Sequence, residues 1–140
     1  MQNYSLLKEA GRTQHPILVK RGMMSTIEEL IFAAEYIASN GNENIILCER
    51  GIRTYENSTR NTLDISCIVI IKKETGLPII ADLSHALGRK DIIIPMAKSV
   101  LASGADGIMV EVHNNPTKAL SDKEQQLTFE EFRDFVTAIK

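Results

Sequence analysis

Hydrophobic positions fall into four short runs dense in Ile, Val and Leu: PILVK (Pro16 to Lys20), NIILCER (Asn44 to Arg50), LPIIADLSH (Leu77 to His85) and DGIMVEVH (Asp106 to His113). They show little alternation of apolar and polar residues, which is how a strand covered on both faces reads. A helical pattern follows each run. In TIEELIFAAEYIASNG the apolar residues Ile27, Leu30, Ile31, Ala34 and Ile37 recur at helical spacing, with Ser25 or Thr26 as the cap and Asn40 or Gly41 as the stop. NTLDISCIVIIKKETG, DIIIPMAKSVLASGA and LTFEEFRDFVTAIK repeat the pattern, the last capped by Thr128, and NYSLLKEAG is a short leading helix ending near Gly11. The strand starts lie roughly 30 residues apart, the length of a βα unit. The predicted order is therefore α-(βα)4 with parallel strands. Two architectures accommodate it: an open doubly wound sheet, or part of a (β/α)8 barrel, which needs about 250 residues.

Both architectures place ligands at the carboxyl ends of their strands. The polar residues gather there: Lys20 and Arg21 after the first strand, Glu49 and Arg50 after the second, Asp82, Ser84 and His85 at the third, Glu111 and His113 at the fourth. Buried charge without a partner is costly, so four polar tips in a row point to a site. Lys20 and Arg50 are fixed cations on adjacent strands, suited to a phosphate or carboxylate, and Arg53 and Arg60 in the next loop could add to them. The plain alternatives are an ion pair with Glu49 or Glu111 for the first two and a solvated loop for the others. His85, Glu111 and Asp122 would make an N/O/O site for a divalent metal. Taken singly, Asp122 reads equally as a turn or cap residue.

Composition adds limits. The 140 residues carry a formal charge of -2 and 44% hydrophobic residues, which fits a single domain, or part of one, and gives no reason to expect a nucleic-acid or membrane partner. No apolar run approaches the ~18 residues of a membrane span, and the N-terminus lacks the pattern of a signal peptide. Cys48 and Cys67 lie in apolar segments without metal-type spacing, and read as buried thiols of a cytoplasmic protein. His15 sits at the wrong end of its strand and reads as surface.

Four segments, LVKRG, ILCERGIRTYENSTRNTLDIS, ADLSHALGRKDIIIP and GIMVEVHNNPTKALSDKEQQL, resemble the 3-deoxy-D-arabino-heptulosonate 7-phosphate (DAHP) synthases. The likeness is to the subgroup that is also similar to 3-deoxy-manno-octulosonate 8-phosphate synthase. The IRTYENSTRNTLDIS that follows CERG favours the heptulosonate branch. The resemblance implies a (β/α)8 barrel that condenses phosphoenolpyruvate with erythrose 4-phosphate and releases phosphate, the first step of the shikimate pathway. It implies a divalent metal, Mn, Fe, Co or Zn, that polarises the aldehyde. Lys20 and Arg50 match its phosphoenolpyruvate-binding cations, with Arg53 as an added contact, and Lys20 and His85 its catalytic positions. His85, Glu111 and Asp122 match three metal ligands.

The family's fourth ligand, an early-strand cysteine, has no counterpart here, nor do the segment that binds the erythrose phosphate and a further arginine. The expectation is a single partial domain, residues 1–140, forming the carboxy-terminal half of the barrel. Such a half exposes an apolar face and two sheet edges, so pairing is expected, either with a second copy or with a missing amino-terminal half. Two alternatives stand beside the DAHP synthase: a non-catalytic phosphate- or metal-binding half-barrel, and the octulosonate synthase.

Overall fold

The computed structural model describes residues 1–140 and contains four parallel strands in the order β1-β2-β3-β4. Helix α1 (Tyr4–Gly11) precedes β1 (Ile17–Lys20); α2 (Ile27–Ala38), β2 (Ile45–Glu49), α3 (Ile65–Thr75) and β3 (Ile79–Asp82) follow. A short α4 (Leu83–Leu87) then leads to α5 (Ile93–Ala102), β4 (Gly107–Met109) and α6 (Phe129–Ile139). The predicted α-(βα)4 order is present, with α4 inserted. No helix is long and apolar enough to cross a membrane.

Local chemistry explains the boundaries. Thr26 and Thr128 cap α2 and α6, and each is answered by a glutamate, Glu29 and Glu131, in a reciprocal capping box. Asp64 caps α3, and Gly76 ends it in the left-handed conformation. Pro95 lies in the first turn of α5, where no backbone donor is required of it. The third strand stops three residues earlier than its apolar run suggests. Asp82 turns the chain by accepting the backbone N–H of His85 (3.1 Å) and so starts α4. His85 is therefore on the first turn of a helix, not on the strand.

One face of the sheet is covered by the helices. Val19, Leu47, Ile79 and Ala81 point into that layer and join Leu30, Ile37, Ile68, Ile71, Ala97 and Val100 in a buried cluster. The opposite face carries Leu18, Lys20, Ile46, Cys48, Ile80, Asp82 and Met109, aligned by the register Leu18↔Ile46, Lys20↔Cys48↔Ile80 and Asp82↔Met109. No second layer covers this face, although Cys48 and Asp82 are buried among their neighbours on it. Leu18 is 38% exposed where its neighbour Val19 is 5%. Strands β1 and β4 are both open edges of the sheet.

Candidate metal and anion site

The polar residues of the uncovered face meet at its carboxyl end. His85 Nε2 lies 3.5 Å from Glu111 Oε1 and 3.9 Å from Asp122 Oδ2. Donors from these three residues all lie within 4.8 Å of one another. Neighbouring donors on one first-row ion at about 2.1 Å lie about 3.0–3.4 Å apart; the His85–Glu111 pair is already close to that spacing, and the widest side of the triangle would have to close by about 1–2 Å for the three to share one divalent ion. The donor set, one imidazole and two carboxylates, suits Mn, Fe, Co or Zn alike.

Each of the three candidate ligands is held from behind. Glu111 receives a hydrogen bond from Gln125 Nε2 (2.8 Å), and its backbone N–H donates to Ser84 Oγ (2.9 Å). Asp122 has φ 54°, the left-handed region that aspartate tolerates better than most residues, and Arg60 donates to its Oδ1 (2.6 Å) and to Gln125 Oε1 (3.0 Å). His85 Nδ1 is 2.8 Å from Asp82 Oδ2.

Arg60 is steered to Asp122 by two glycines. The backbone of Arg60 and Asn61 runs along α4, with Arg60 N–H donating to Leu87 O and Asn61 N–H to Ala86 O. A Cβ on Gly88 would lie 2.7 Å from Arg60 Cβ, and one on Gly51 would lie 2.6 Å from Asn61 Cβ. Both glycines have positive φ, 67° and 83°, so a side chain is excluded on both counts.

The cations divide into paired and free. Arg21 is buried on the helix side, where it donates to Glu49 Oε2 (3.0 Å), Asp64 Oδ2 (2.8 Å) and Ser25 O (3.0 Å). Glu49 is fully buried and also accepts from the backbone N–H of Gly51 (2.7 Å) and Asp64 (3.3 Å), which shapes the turn after β2. Glu49 is thus no partner for Lys20 or Arg50. Lys20 donates instead to Asp82 Oδ2 at 2.5 Å and keeps about a third of its side chain exposed. Arg50 is half-buried and, unlike Arg21, Lys20 and Arg60, has no carboxylate partner. The alternation that puts Cys48 on the uncovered face carries Arg50 to the same side. Arg53 is exposed and lines a shallow cleft with Met23, Met24 and Thr26; no contact joins it to the triad.

The remaining candidates sort simply. Cys48 is fully buried on the uncovered face, and burial, reinforced by the charge of Asp82, pushes its thiol up to about 12. Cys67 is buried in α3, where burial likewise raises its thiol. Neither joins the ligand triangle. His15 is exposed, and His113 accepts the backbone N–H of Asn115 at the start of a loop.

Comparison with known proteins places the chain in a family. The model of the DAHP synthetase I family matches residues 1–140. The chain belongs to the DAHP synthetase I family. It is 57% identical over 139 residues to the phospho-2-dehydro-3-deoxyheptonate aldolase of Thermotoga maritima, covering 99% of this chain and 41% of that protein. It is 32% identical over 134 residues to the 2-dehydro-3-deoxyphosphooctonate aldolase of Desulfosudis oleivorans, covering 88% of this chain and 47% of that protein. Among solved structures, the Thermotoga maritima DAHP synthase superposes with TM-score 0.96 at 56% identity, over 99% of this chain and 41% of that one. A truncated form of the Thermotoga 3-deoxy-D-arabino-heptulosonate 7-phosphate synthase superposes with TM-score 0.94 at 57% identity, over 97% of this chain and 52% of that one. The chain thus spans about half or less of the length of these relatives, and its four strands form part of a TIM barrel.

Proposed function

We propose that this chain carries the carboxy-terminal half of a DAHP synthase site: the cations that receive phosphoenolpyruvate and three of the ligands of a divalent metal. The observation that carries the reading is the convergence of His85, Glu111 and Asp122 at the carboxyl end of the sheet, on the face that also carries Lys20. Lys20 and Arg50 are assigned to the phosphate and carboxylate of phosphoenolpyruvate. The unpartnered guanidinium of Arg50 suits a bidentate oxyanion. Arg53 is assigned an outer contact. His85, Glu111 and Asp122 would hold a divalent ion, which when bound would supply Lewis acidity toward the aldehyde of erythrose 4-phosphate. The chain's own groups hold phosphoenolpyruvate in place and balance the charge that builds as its methylene carbon joins the sugar. The overall reaction releases inorganic phosphate and opens aromatic amino-acid biosynthesis, in a cytoplasmic setting. The heptulosonate substrate is favoured over the octulosonate one because the identity is 57% to the one relative and 32% to the other.

The uncovered sheet face and the two open edges support a second part of the proposal. Further strands pack on Leu18, Ile46 and Ile80; an amino-terminal half would also bring the fourth metal donor, whereas a second copy would cover the face without it. The hydrophobic cleft of about 420 Å³ between α1 and β1, lined by Met1, Leu6, Leu7 and Leu18, lies at the edge where such strands would join. Light scattering is expected to show association; a stable monomer that does not aggregate contradicts pairing.

The test of function is phosphate release. The chain is mixed with the separately produced segment that precedes the matched region in the Thermotoga relative, then given Mn, phosphoenolpyruvate and either erythrose 4-phosphate or arabinose 5-phosphate. Release that needs phosphoenolpyruvate and erythrose 4-phosphate together, and stops on chelation, is the expected result. Faster release with arabinose 5-phosphate would move the chain to the octulosonate branch. A stable complex with no release would leave only a binding role.

A further inference from the structure

Asp82 carries a contact that its place at the head of α4 does not require. A cap needs one acceptor oxygen, and Oδ1 fills that role by accepting the backbone N–H of His85 at 3.1 Å. The other oxygen, Oδ2, stands 2.5 Å from Lys20 Nζ and 2.8 Å from His85 Nδ1. Lys20 comes from β1 and His85 from α4, 62 and 3 residues away. Asp82 itself is fully buried. Serine, threonine or asparagine would cap the helix as well, without placing a carboxylate in the interior.

We propose that Asp82 is the positioning residue that joins the two halves of the site, one buried oxygen fixing both the Lys20 ammonium and the His85 ring. The inference rests on the metal and anion assignments made above and deepens them. Two consequences follow from the geometry. His85 Nδ1 donates its N–H to Oδ2, so the bare nitrogen is Nε2, the atom that faces Glu111 and Asp122. A metal ligand held from behind by a carboxylate is fixed in both tautomer and ring orientation. Lys20 is held with its ammonium against the same carboxylate, 4.0 Å from Met109 Sδ, and its side chain stays about a third exposed, open to an incoming anion. The metal position and the anion position are thereby set from one point and cannot drift apart independently.

Asp82→Asn tests this with little change of shape. The amide oxygen preserves the cap. The amide NH2 then faces Lys20 and His85 Nδ1, so it repels the ammonium and favours the ring with its proton on Nε2, which cannot bind a metal. Binding of Mn ion alone, followed by electron paramagnetic resonance on the full chain, is expected to weaken 10–100-fold. Binding of phosphoenolpyruvate is expected to weaken in the same variant. A purely structural cap would lower the melting temperature and leave both affinities of the folded chain unchanged, and that result overturns the proposal. Asp82→Ser, which retains the cap and removes the second oxygen, serves as the second variant, with the same expectation.

His85→Ala separates two failures. If His85→Ala weakens Mn binding and Asp82→Asn does not, the positioning role is lost and the metal assignment stands. If neither does, the metal assignment falls too. One readout needs no variant: nitrogen NMR of the neutral His85 ring in the metal-free chain. A proton on Nδ1 is expected; a proton on Nε2 overturns the proposal.

Discussion

Arg21 is the residue whose loss should cost the fold most. Its side chain is 5% exposed and donates to Glu49, to Asp64 and to the carbonyl of Ser25. Glu49, on the neighbouring strand, is fully buried. Arg21→Met preserves the apolar stem and removes the charge, leaving a buried carboxylate without its cation. Breaking a buried pair from one side costs about 3–5 kcal/mol. Glu49 keeps two backbone donors, the N–H groups of Gly51 and Asp64, which offset part of the loss, so the lower end, about 3 kcal/mol, is expected. With a urea slope of about 1–3 kcal/mol/M, the unfolding midpoint should fall by roughly 1–3 M. The assay is urea unfolding at a fixed protein concentration, because association would itself shift stability. The double variant Arg21→Met, Glu49→Gln removes the stranded charge and should recover about 1–3 kcal/mol of the loss. A midpoint unchanged in Arg21→Met, or a double variant as unstable as the sum of the singles, would refute the reasoning.

Arg50→Ala should weaken phosphoenolpyruvate binding by about 1.5–3 kcal/mol, the worth of a charge-assisted hydrogen bond, or roughly 10–150-fold; equal affinity by calorimetry removes Arg50 from the site. Acid should destabilise the fold. Burial opposes ionisation of Asp64, but hydrogen bonds from Ser66 and Arg21 outweigh it and hold the carboxyl below its usual range. Lys72 does the same for Asp106 and Lys90 for Glu131. Carboxylates depressed in the folded state contribute stability above their unfolded values and lose it as pH falls through the folded ones, so unfolding midpoints should be flat from about pH 7 to 5 and drop below about 4. Constant stability through that lower range would contradict the assignments. Ellman's reagent should leave both thiols untouched in the native chain, since Cys48 is pushed up to about 12 and both cysteines are buried, and should label both in urea; rapid native labelling of either would contradict their burial.

Most of the architecture was legible in the spacing of apolar runs. The unbroken Ile, Val and Leu segments mark the four parallel strands, and Thr26 and Thr128 act as predicted caps. The third strand ends earlier than the run LPIIADLSH suggests because Leu83 continues the apolar pattern past Asp82, and a five-residue helix that carries straight on from a strand leaves no gap between them. The signal was the D-x-x-H spacing of Asp82 and His85, the distance between a cap and the N–H that it accepts. The fourth strand ends at Met109 rather than His113, and Val112 makes only a single bridge to Leu127.

His85 and Glu111 are legible as polar residues at neighbouring strand tips and Asp122 as an acidic residue in the loop beyond, and the structure brings the three together. Their supports were not visible. In sequence Arg60 reads as a second anion contact or a solvated loop residue; in the structure it is tied to Asp122, a pairing that depends on how Gly51 and Gly88 let the loop pack on α4. Arg21 and Lys20 adjoin at one strand tip, but strand alternation sends them to opposite faces, one to Glu49 and the other to Asp82. Long-range pairs of this kind lie 28 and 62 residues apart and leave no local pattern.

The central claim is that one divalent ion binds at the junction of β3, α4 and the segment that follows β4, beside Lys20. Crystals of the chain soaked in Mn and measured for anomalous scattering test it most directly. A single strong peak within about 2.3 Å of His85 Nε2 and of one oxygen each from Glu111 and Asp122 is the predicted result. An empty triad at saturating Mn, or a peak held by other residues, would contradict it.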